Sequence, residues 1–203
     1  GTLFSNLLMQ NKYYLSSVPM DERLYTLLEK KDDVYLYESK YNLNYIIPYS
    51  GNVVEEYSNV LVDNNNLLYK ELFDKEENIM HLIENGKVKL SKDNVYYFYS
   101  YDGFPYQLFD QIKEVDENSY RNSYMSYDKY VSEVVLTKDV KLDLTDYIGL
   151  RVAYINIDEF IEFVDEINDY EVAVSTKDSV KTFNYKAEED TSILIPVNYD
   201  ESL

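Results

Sequence analysis

The sequence predicts a β-rich α+β domain, built as a twisted sheet or β-sandwich with a few short helices. Two patterns lead to this prediction: many short runs of β-branched and aromatic residues, and one strongly amphipathic helical segment, Ile157–Ile167. Apolar residues make up 45% of the 203 residues, which is enough to form a core. With five glycines and four prolines, the chain has no flexible linker. We therefore expect one domain over residues 1–203, or two subdomains over 1–130 and 131–203.

Short strands are expected in the first quarter of the chain. Asn11–Ser16 is rich in tyrosine and has the composition of a strand. Tyr25–Glu29 and Val34–Glu38 flank the polar residues Lys30–Asp33, which favour a turn. Asn44–Tyr49 continues as extended chain and contains a proline, which cannot donate a hydrogen bond to a neighbouring strand.

The middle of the chain predicts a helix, a turn and two strands. Asp63 is a suitable N-cap, and leucines follow it at helical spacing. The Asn-Gly pair within Glu84–Lys87 favours a tight turn. Val88–Leu90 and Val95–Tyr101 have the composition of strands, and Asp102–Tyr106 resembles a loop.

The C-terminal quarter predicts a strand, the amphipathic helix and two more strands. The strand Leu150–Asn156 ends in a residue that can cap the helix, and a glutamate follows three positions later. Glu171–Ser175 and Ser179–Ala187 are the next expected strands, and Ser192–Asp200 is a last apolar run. The helix has one apolar stripe, which we expect to pack against a sheet. This stripe consists of Ile157, Phe160, Ile161, Val164 and Ile167.

The formal net charge is −19, from 38 acidic and 19 basic residues. Such a chain repels the phosphates of nucleic acids and disfavours anionic lipid, so neither is an expected partner. There is no glycine-rich phosphate loop, and we expect no nucleotide. The absence of cysteine excludes disulfides and thiolate chemistry. No apolar run approaches the roughly 20 residues that cross a bilayer.

The sequence predicts no catalytic residue, no metal site and no cofactor. His81 is the single histidine, and its apolar neighbours favour a structural or surface role over a catalytic triad. Paired carboxylates could hydrolyse glycosides, yet with 38 acids some pairs will have suitable spacing by chance. Asp63–Asn66 lacks the spaced oxygen ligands and central glycine of a calcium loop.

Tyrosines are the candidate ligand-binding residues, because a phenol ring stacks on the apolar face of a sugar while its hydroxyl forms hydrogen bonds. Tyr120, Tyr124, Tyr127 and Tyr130 would form one stripe in a helix, or a mobile aromatic surface in a loop. With 24 tyrosines in the chain, packing in the core is the alternative. A ligand of this acidic domain is expected to be a neutral or cationic glycan.

Six segments of the chain follow one family pattern in order: Asn6–Leu15, Asp33–Ile46, Asn65–Leu72, Val152–Phe160, Ile193–Pro196 and Asn198–Asp200. They resemble the extracytoplasmic C-terminal part of the YfhO-type bacterial membrane proteins, which are glycosyltransferase-like. The resemblance covers most of the chain and is weakest over residues 84–138. The final Gly-Trp of the family pattern has no counterpart here.

This resemblance implies an accessory domain on the extracytoplasmic side of a Gram-positive cell membrane. Its parent would be a polytopic protein that adds sugar to cell-envelope polymers such as teichoic acids. The family's catalytic acids lie between membrane helices, so none is expected in this chain. The implied partners are the membrane domain of the parent chain and an envelope glycan. The alternatives are a stand-alone surface carbohydrate-binding or adhesion module, and a soluble glycosidase with an acid pair.

Overall fold

The structure is a computed structural model, and it describes residues 1–44, 47–49, 57–58, 60–126, 129–169, 173–177, 180–186 and 192–194. Within these ranges the chain forms four short helices and fourteen strands. The helices are α1 (Leu3–Leu8), α2 (Leu61–Phe73), α3 (Tyr106–Val115) and α4 (Ile157–Asn168). The first seven strands are β1 (Tyr13–Ser16), β2 (Tyr25–Lys31), β3 (Val34–Ser39), β4 (Ile47–Tyr49), β5 (His81–Ile83), β6 (Lys87–Leu90) and β7 (Asn94–Ser100). The others are β8 (Tyr120–Ser126), β9 (Lys129–Val135), β10 (Val140–Asp143), β11 (Arg151–Asn156), β12 (Ala173–Lys177), β13 (Val180–Asn184) and β14 (Ser192–Leu194).

The central element is an antiparallel sheet of five strands in the order β5–β11–β7–β9–β8. Residues 95–99 of β7 are all buried, so both faces of this strand are covered. A strand covered on both faces needs apolar residues at every position, which explains the continuous aromatic run in the sequence. The sheet takes strands from both sides of residue 130. The predicted β-rich α+β fold with a few short helices is confirmed.

Two hydrophobic cores lie on the two faces of this sheet. The first face, which includes Tyr97 and Val131, is covered by α1, α2, α4 and the three-stranded sheet β1–β3–β2. The second face, which includes Phe98 and Val134, is covered by α3 and the paired strands β6 and β10. Alternation along each strand assigns neighbouring residues to opposite cores.

Several predicted elements are confirmed near the two chain ends. Strands β2 and β3 form the expected hairpin, and β1 pairs with β3. Helix α4 is capped as predicted, because the side chain of Asn156 accepts hydrogen bonds from the backbone N–H groups of Asp158 and Glu159. Phe160 and Val164 are buried and Ile161 is partly buried against the same core. Strands β12 and β13 pair antiparallel, and β14 pairs with β4. Residues 195–200 of the last apolar run lie outside the described residues.

Two predictions about helices need correction. Helix α2 begins at Leu61 with Val60 as its N-cap, so Asp63 lies in the first turn and is not the cap. An acidic side chain there is still favourable, because it faces the positive end of the helix dipole. Helix α3 was not predicted, although Leu108, Phe109 and Ile112 have helical spacing and are buried. Its first residue, Tyr106, lies in the segment that resembled a loop.

The described residues of the tyrosine segment form neither the helix nor the loop that was considered for it. Residues 120–126 and 129–135 are strands β8 and β9, which pair antiparallel as a hairpin. Tyrosines four residues apart share a face in a helix, but they also share a face in a strand, where side chains alternate with a period of two. Spacing alone therefore could not distinguish the two structures.

In the part of the chain that is described, no helix combines the length and the apolar character needed to span a membrane.

Candidate functional site

A groove of about 870 Å³ lies between the start of α1, the start of α2 and the β8–β9 hairpin at the edge of the central sheet. We call it the edge groove. Its floor and walls come from segments that are far apart in the chain. The described residues that line it are Gly1, Thr2, Ser5, Tyr57, Ser58, Leu61, Asn64, Asn65, Leu68, Tyr124, Met125, Lys129 and Val131.

Some polar residues of the edge groove form hydrogen bonds to each other and so hold its walls together. The hydroxyl of Thr2 donates to the side-chain oxygen of Asn65 at 2.6 Å and accepts from the backbone N–H of Ser5 at 3.0 Å. The side-chain amide of Asn65 donates to the carbonyl of Leu61 at 2.7 Å. These bonds attach α1 to α2, so the groove has a preformed shape.

Two other polar atoms of the lining residues have no hydrogen-bond partner among the described residues. The hydroxyl of Tyr124 and the side-chain oxygen of Asn64 are both buried without a hydrogen bond to the described residues. Buried polar groups in folded proteins are normally paired, so these two atoms are exceptions among the residues that line the groove. Burial raises the pKa of Tyr124, so its hydroxyl stays protonated and can donate.

The apolar lining suits a ring with a non-polar face. Tyr124 contributes its ring, and Leu61, Leu68 and Val131 extend the apolar surface beside it. Such a surface next to amide and hydroxyl groups matches a saccharide, which has C–H faces and a rim of hydroxyls.

The four predicted ligand-binding tyrosines do not form one surface. Tyr124 lines the edge groove, whereas Tyr120 is 9% exposed and packs in the core of the first face. Tyr130 is part of the next strand and faces the opposite side, where its ring lies 4.9 Å from that of Phe104. Tyr127 lies outside the described residues. Ligand binding at these tyrosines stays a prediction, and Tyr124 is the one that the groove supports.

Sequence reasoning did not identify Thr2, Asn64, Asn65 or Lys129 as site residues. Asn64 and Asn65 were interpreted as part of a helix start, which they are. No local pattern connects residues 2, 64 and 129, since only the tertiary fold brings them to one groove.

A second cleft of about 710 Å³ contains the acidic residues that a glycosidase would need. Its carboxylates Asp21 and Asp93 both pair with Arg23, at 2.6 and 3.3 Å. A glycosidase needs two carboxyl groups free to face the scissile bond, whereas Asp21 and Asp93 are both engaged by the guanidinium of Arg23. These two residues are therefore poor candidates for the acid pair of a glycosidase.

His81 lies on β5, the edge strand of the central sheet on the opposite side from β8. Its ring packs 5.1 Å from that of Tyr154, and its Nε2 lies 3.6 Å from a carboxylate oxygen of Glu159. These contacts fit the structural or surface role expected for it. Among the described residues, no three or more His, Cys, Asp or Glu side chains are grouped so that they could hold a metal ion.

No family model, curated protein or solved structure matches the chain significantly. The resemblance to the YfhO-type family stays a hypothesis based on the sequence segments.

Proposed function

We propose that the chain is a non-catalytic extracytoplasmic domain of a polytopic, glycosyltransferase-like membrane protein that modifies cell-envelope polymers such as teichoic acids with sugar. The domain holds the acceptor glycan near the membrane domain of its own parent chain. The order of the matching sequence segments supports the assignment to this kind of parent protein. The edge groove supports the binding of a glycan.

Glycan binding is proposed because two features occur together in the edge groove. The ring of Tyr124 offers an apolar surface, and the Tyr124 hydroxyl and the side-chain oxygen of Asn64, both from residues that line the groove, have no partner in the described part of the chain. A saccharide satisfies both features at once, because its C–H face stacks on the ring while its hydroxyls hydrogen-bond.

The lining of the edge groove also supports binding over catalysis. Its described residues include no aspartate, glutamate or histidine. Glycoside hydrolysis needs two carboxyl groups on either side of the scissile bond, and the described lining offers none.

Calorimetric titration of envelope oligosaccharides into the purified chain tests the proposal. Tyr124→Ala removes the ring and is expected to weaken binding about tenfold, since one stacked ring and one hydrogen bond together contribute about 1–2 kcal/mol. Tyr124→Phe removes the hydroxyl alone and should have a smaller effect. Tyr106→Ala is the matched control, because Tyr106 is exposed and does not line the groove. Equal affinities for the wild type and Tyr124→Ala would exclude the edge groove as the site.

The second candidate is a stand-alone surface carbohydrate-binding or adhesion module, which the same groove favours. The two candidates differ in what surrounds the domain in its gene. Membrane-spanning segments encoded in the same reading frame support the accessory domain, and a reading frame with a wall-attachment signal and no such segments supports the module.

A further inference from the structure

Lys129 is a buried cation without a carboxylate partner in the described part of the chain. It is 5% exposed, and no ion pair joins it to a described residue. Lys12 and Lys89 are far more exposed, yet they pair with carboxylates at 3.0 and 2.7 Å. In a chain with 38 acidic and 19 basic residues, an unpaired buried lysine needs an explanation.

The contact that Lys129 does make is incomplete. Its ammonium nitrogen lies 5.2 Å from the ring centroid of Tyr101, a cation–π contact. An ammonium has three N–H donors, and a ring face accepts no conventional hydrogen bond. Buried charges in proteins are normally paired and hydrogen-bonded, and the ring supplies neither an opposite charge nor a conventional acceptor.

The position of Lys129 connects it to the ligand groups of the edge groove. It begins β9 and shares a face of the sheet with Val131, which lies directly opposite Tyr124 on β8. All three residues line the edge groove, together with Asn64. In the described lining of this groove, Lys129 is the one charged side chain.

We propose that the edge groove binds a saccharide or polyol unit that carries one anionic oxygen group, a phosphate or a carboxylate, which pairs with the ammonium of Lys129. The hydroxyls of the same unit bind Tyr124 and Asn64. This inference rests on the edge groove being the glycan site of the proposed function. It specifies the ligand further than the neutral or cationic glycan that the net charge indicated.

The charge of the whole molecule does not prevent this local contact. At about 0.15 M salt the Debye length is about 8 Å, so exposed carboxylates beyond that distance are largely screened. One buried ammonium at the groove wall is screened much less, and it interacts directly with a bound anion.

Matched ligand pairs test this inference by calorimetry at 0.15 M salt. Glycerol 3-phosphate is compared with glycerol, and glucuronate with glucose. For the wild-type chain we expect the anionic member of at least one pair to bind at least tenfold more tightly than the neutral member. Lys129→Gln should abolish this preference. Lys141→Gln is the control, because it removes the same charge from an exposed position on β10 and should leave the preference unchanged.

Each result has a distinct meaning. Equal affinity of the wild type for both members of both pairs overturns the inference and leaves the groove as a site for neutral glycans. A preference that persists in Lys129→Gln, with an unchanged melting curve, also overturns it. If neither these probes nor envelope oligosaccharides bind the wild type, the groove itself is not a ligand site and the proposed function fails with the inference. The comparison within the wild type does not depend on whether a variant folds.

Discussion

Glu133 is a carboxylic acid in the hydrophobic core of the first sheet face. It lies on β9 opposite Tyr97 of β7, whose hydroxyl hydrogen-bonds to it and also accepts the backbone N–H of Leu3 at 2.7 Å. Tyr14, Tyr25 and Tyr120 are packed in the same core. Burial raises the pKa of Glu133 from 4.5 to about 7, although the chain's terminal ammonium and the Tyr97 hydrogen bond act in the opposite direction.

We predict that Glu133 makes the fold less stable as the pH rises. Its folded-state pKa lies above the unfolded value, so the stability it contributes is complete below pH 4.5 and is lost as the pH rises towards and through about 7. The shift corresponds to a loss of about 3 kcal/mol across this window, taken as an order of magnitude.

Urea unfolding of the wild type and Glu133→Gln at pH 5 and pH 8 measures this loss of stability. The variant should gain stability relative to the wild type at pH 8, and Glu114→Gln, at an exposed position, should not. Parallel pH profiles for the wild type and Glu133→Gln would contradict this role.

We also predict that Phe160→Ala costs about 3–5 kcal/mol of unfolding free energy, as truncation of a buried aromatic ring does. The ring of Phe160 is buried and lies edge-on to Tyr41 at 6.3 Å. Ile148→Ala is the control, because Ile148 is 92% exposed. Chemical denaturation of both variants gives the comparison. A wild-type midpoint for Phe160→Ala would show that this helix does not depend on its buried stripe.

At the scale of elements, local signals predicted some structures and failed for others. Helix α4 was predictable because its cap, its acidic face and its apolar stripe all lie within one short segment. Phe163 lies outside the predicted stripe, yet its ring packs at 4.8 to 6.0 Å from the rings of Phe4, Tyr69 and Phe73. Its partners come from α1 and α2, and no periodicity within α4 shows them.

The candidate site was less predictable than the fold. Tyr124 was identified because aromatic residues are recognisable in any sequence, but its strand was not. Tyr120 and Tyr130 had the same local pattern and proved to pack in different places. The groove depends on α1, α2 and the β8–β9 hairpin meeting at one sheet edge, and this meeting is a tertiary property.

The side chain of Asn156 stabilises the start of α4. Asn156→Ala should cost about 1 kcal/mol, because it removes the acceptor of two backbone N–H groups at the helix start. Asn156→Asp keeps the capping oxygens but loses the amide that donates to Asn94 at 2.9 Å. Urea denaturation should therefore rank stability as wild type, then Asn156→Asp, then Asn156→Ala. Equal stability of the two variants would assign the effect to the Asn94 contact instead of the cap.

At the scale of the whole molecule, the packing around the central sheet decides where a ligand can bind. The central sheet is covered on both faces, so a ligand can reach it only at its edges. The edge groove is at one such edge, beside β8. The acidic cleft around Arg23 is separate from it, since the described linings of the two share no residue.

We predict that the purified chain neither transfers nor hydrolyses sugar. The described lining of the edge groove includes no carboxyl group, and in the acidic cleft Asp21 and Asp93 are held in ion pairs. Assays with a lipid-linked sugar and with envelope glycosides should give no turnover above the buffer background. Turnover that one point mutation abolishes would contradict the accessory-domain proposal and favour the soluble glycosidase.

The most direct test of glycan binding in the edge groove is amide chemical-shift mapping of the isotopically labelled chain during titration with an envelope oligosaccharide. Saturable shifts should concentrate at residues 61–68 and 124–131, and Tyr124→Ala should reduce them. Shifts centred on the cleft around Arg23, or no saturable shifts at millimolar ligand, would contradict glycan binding in the edge groove.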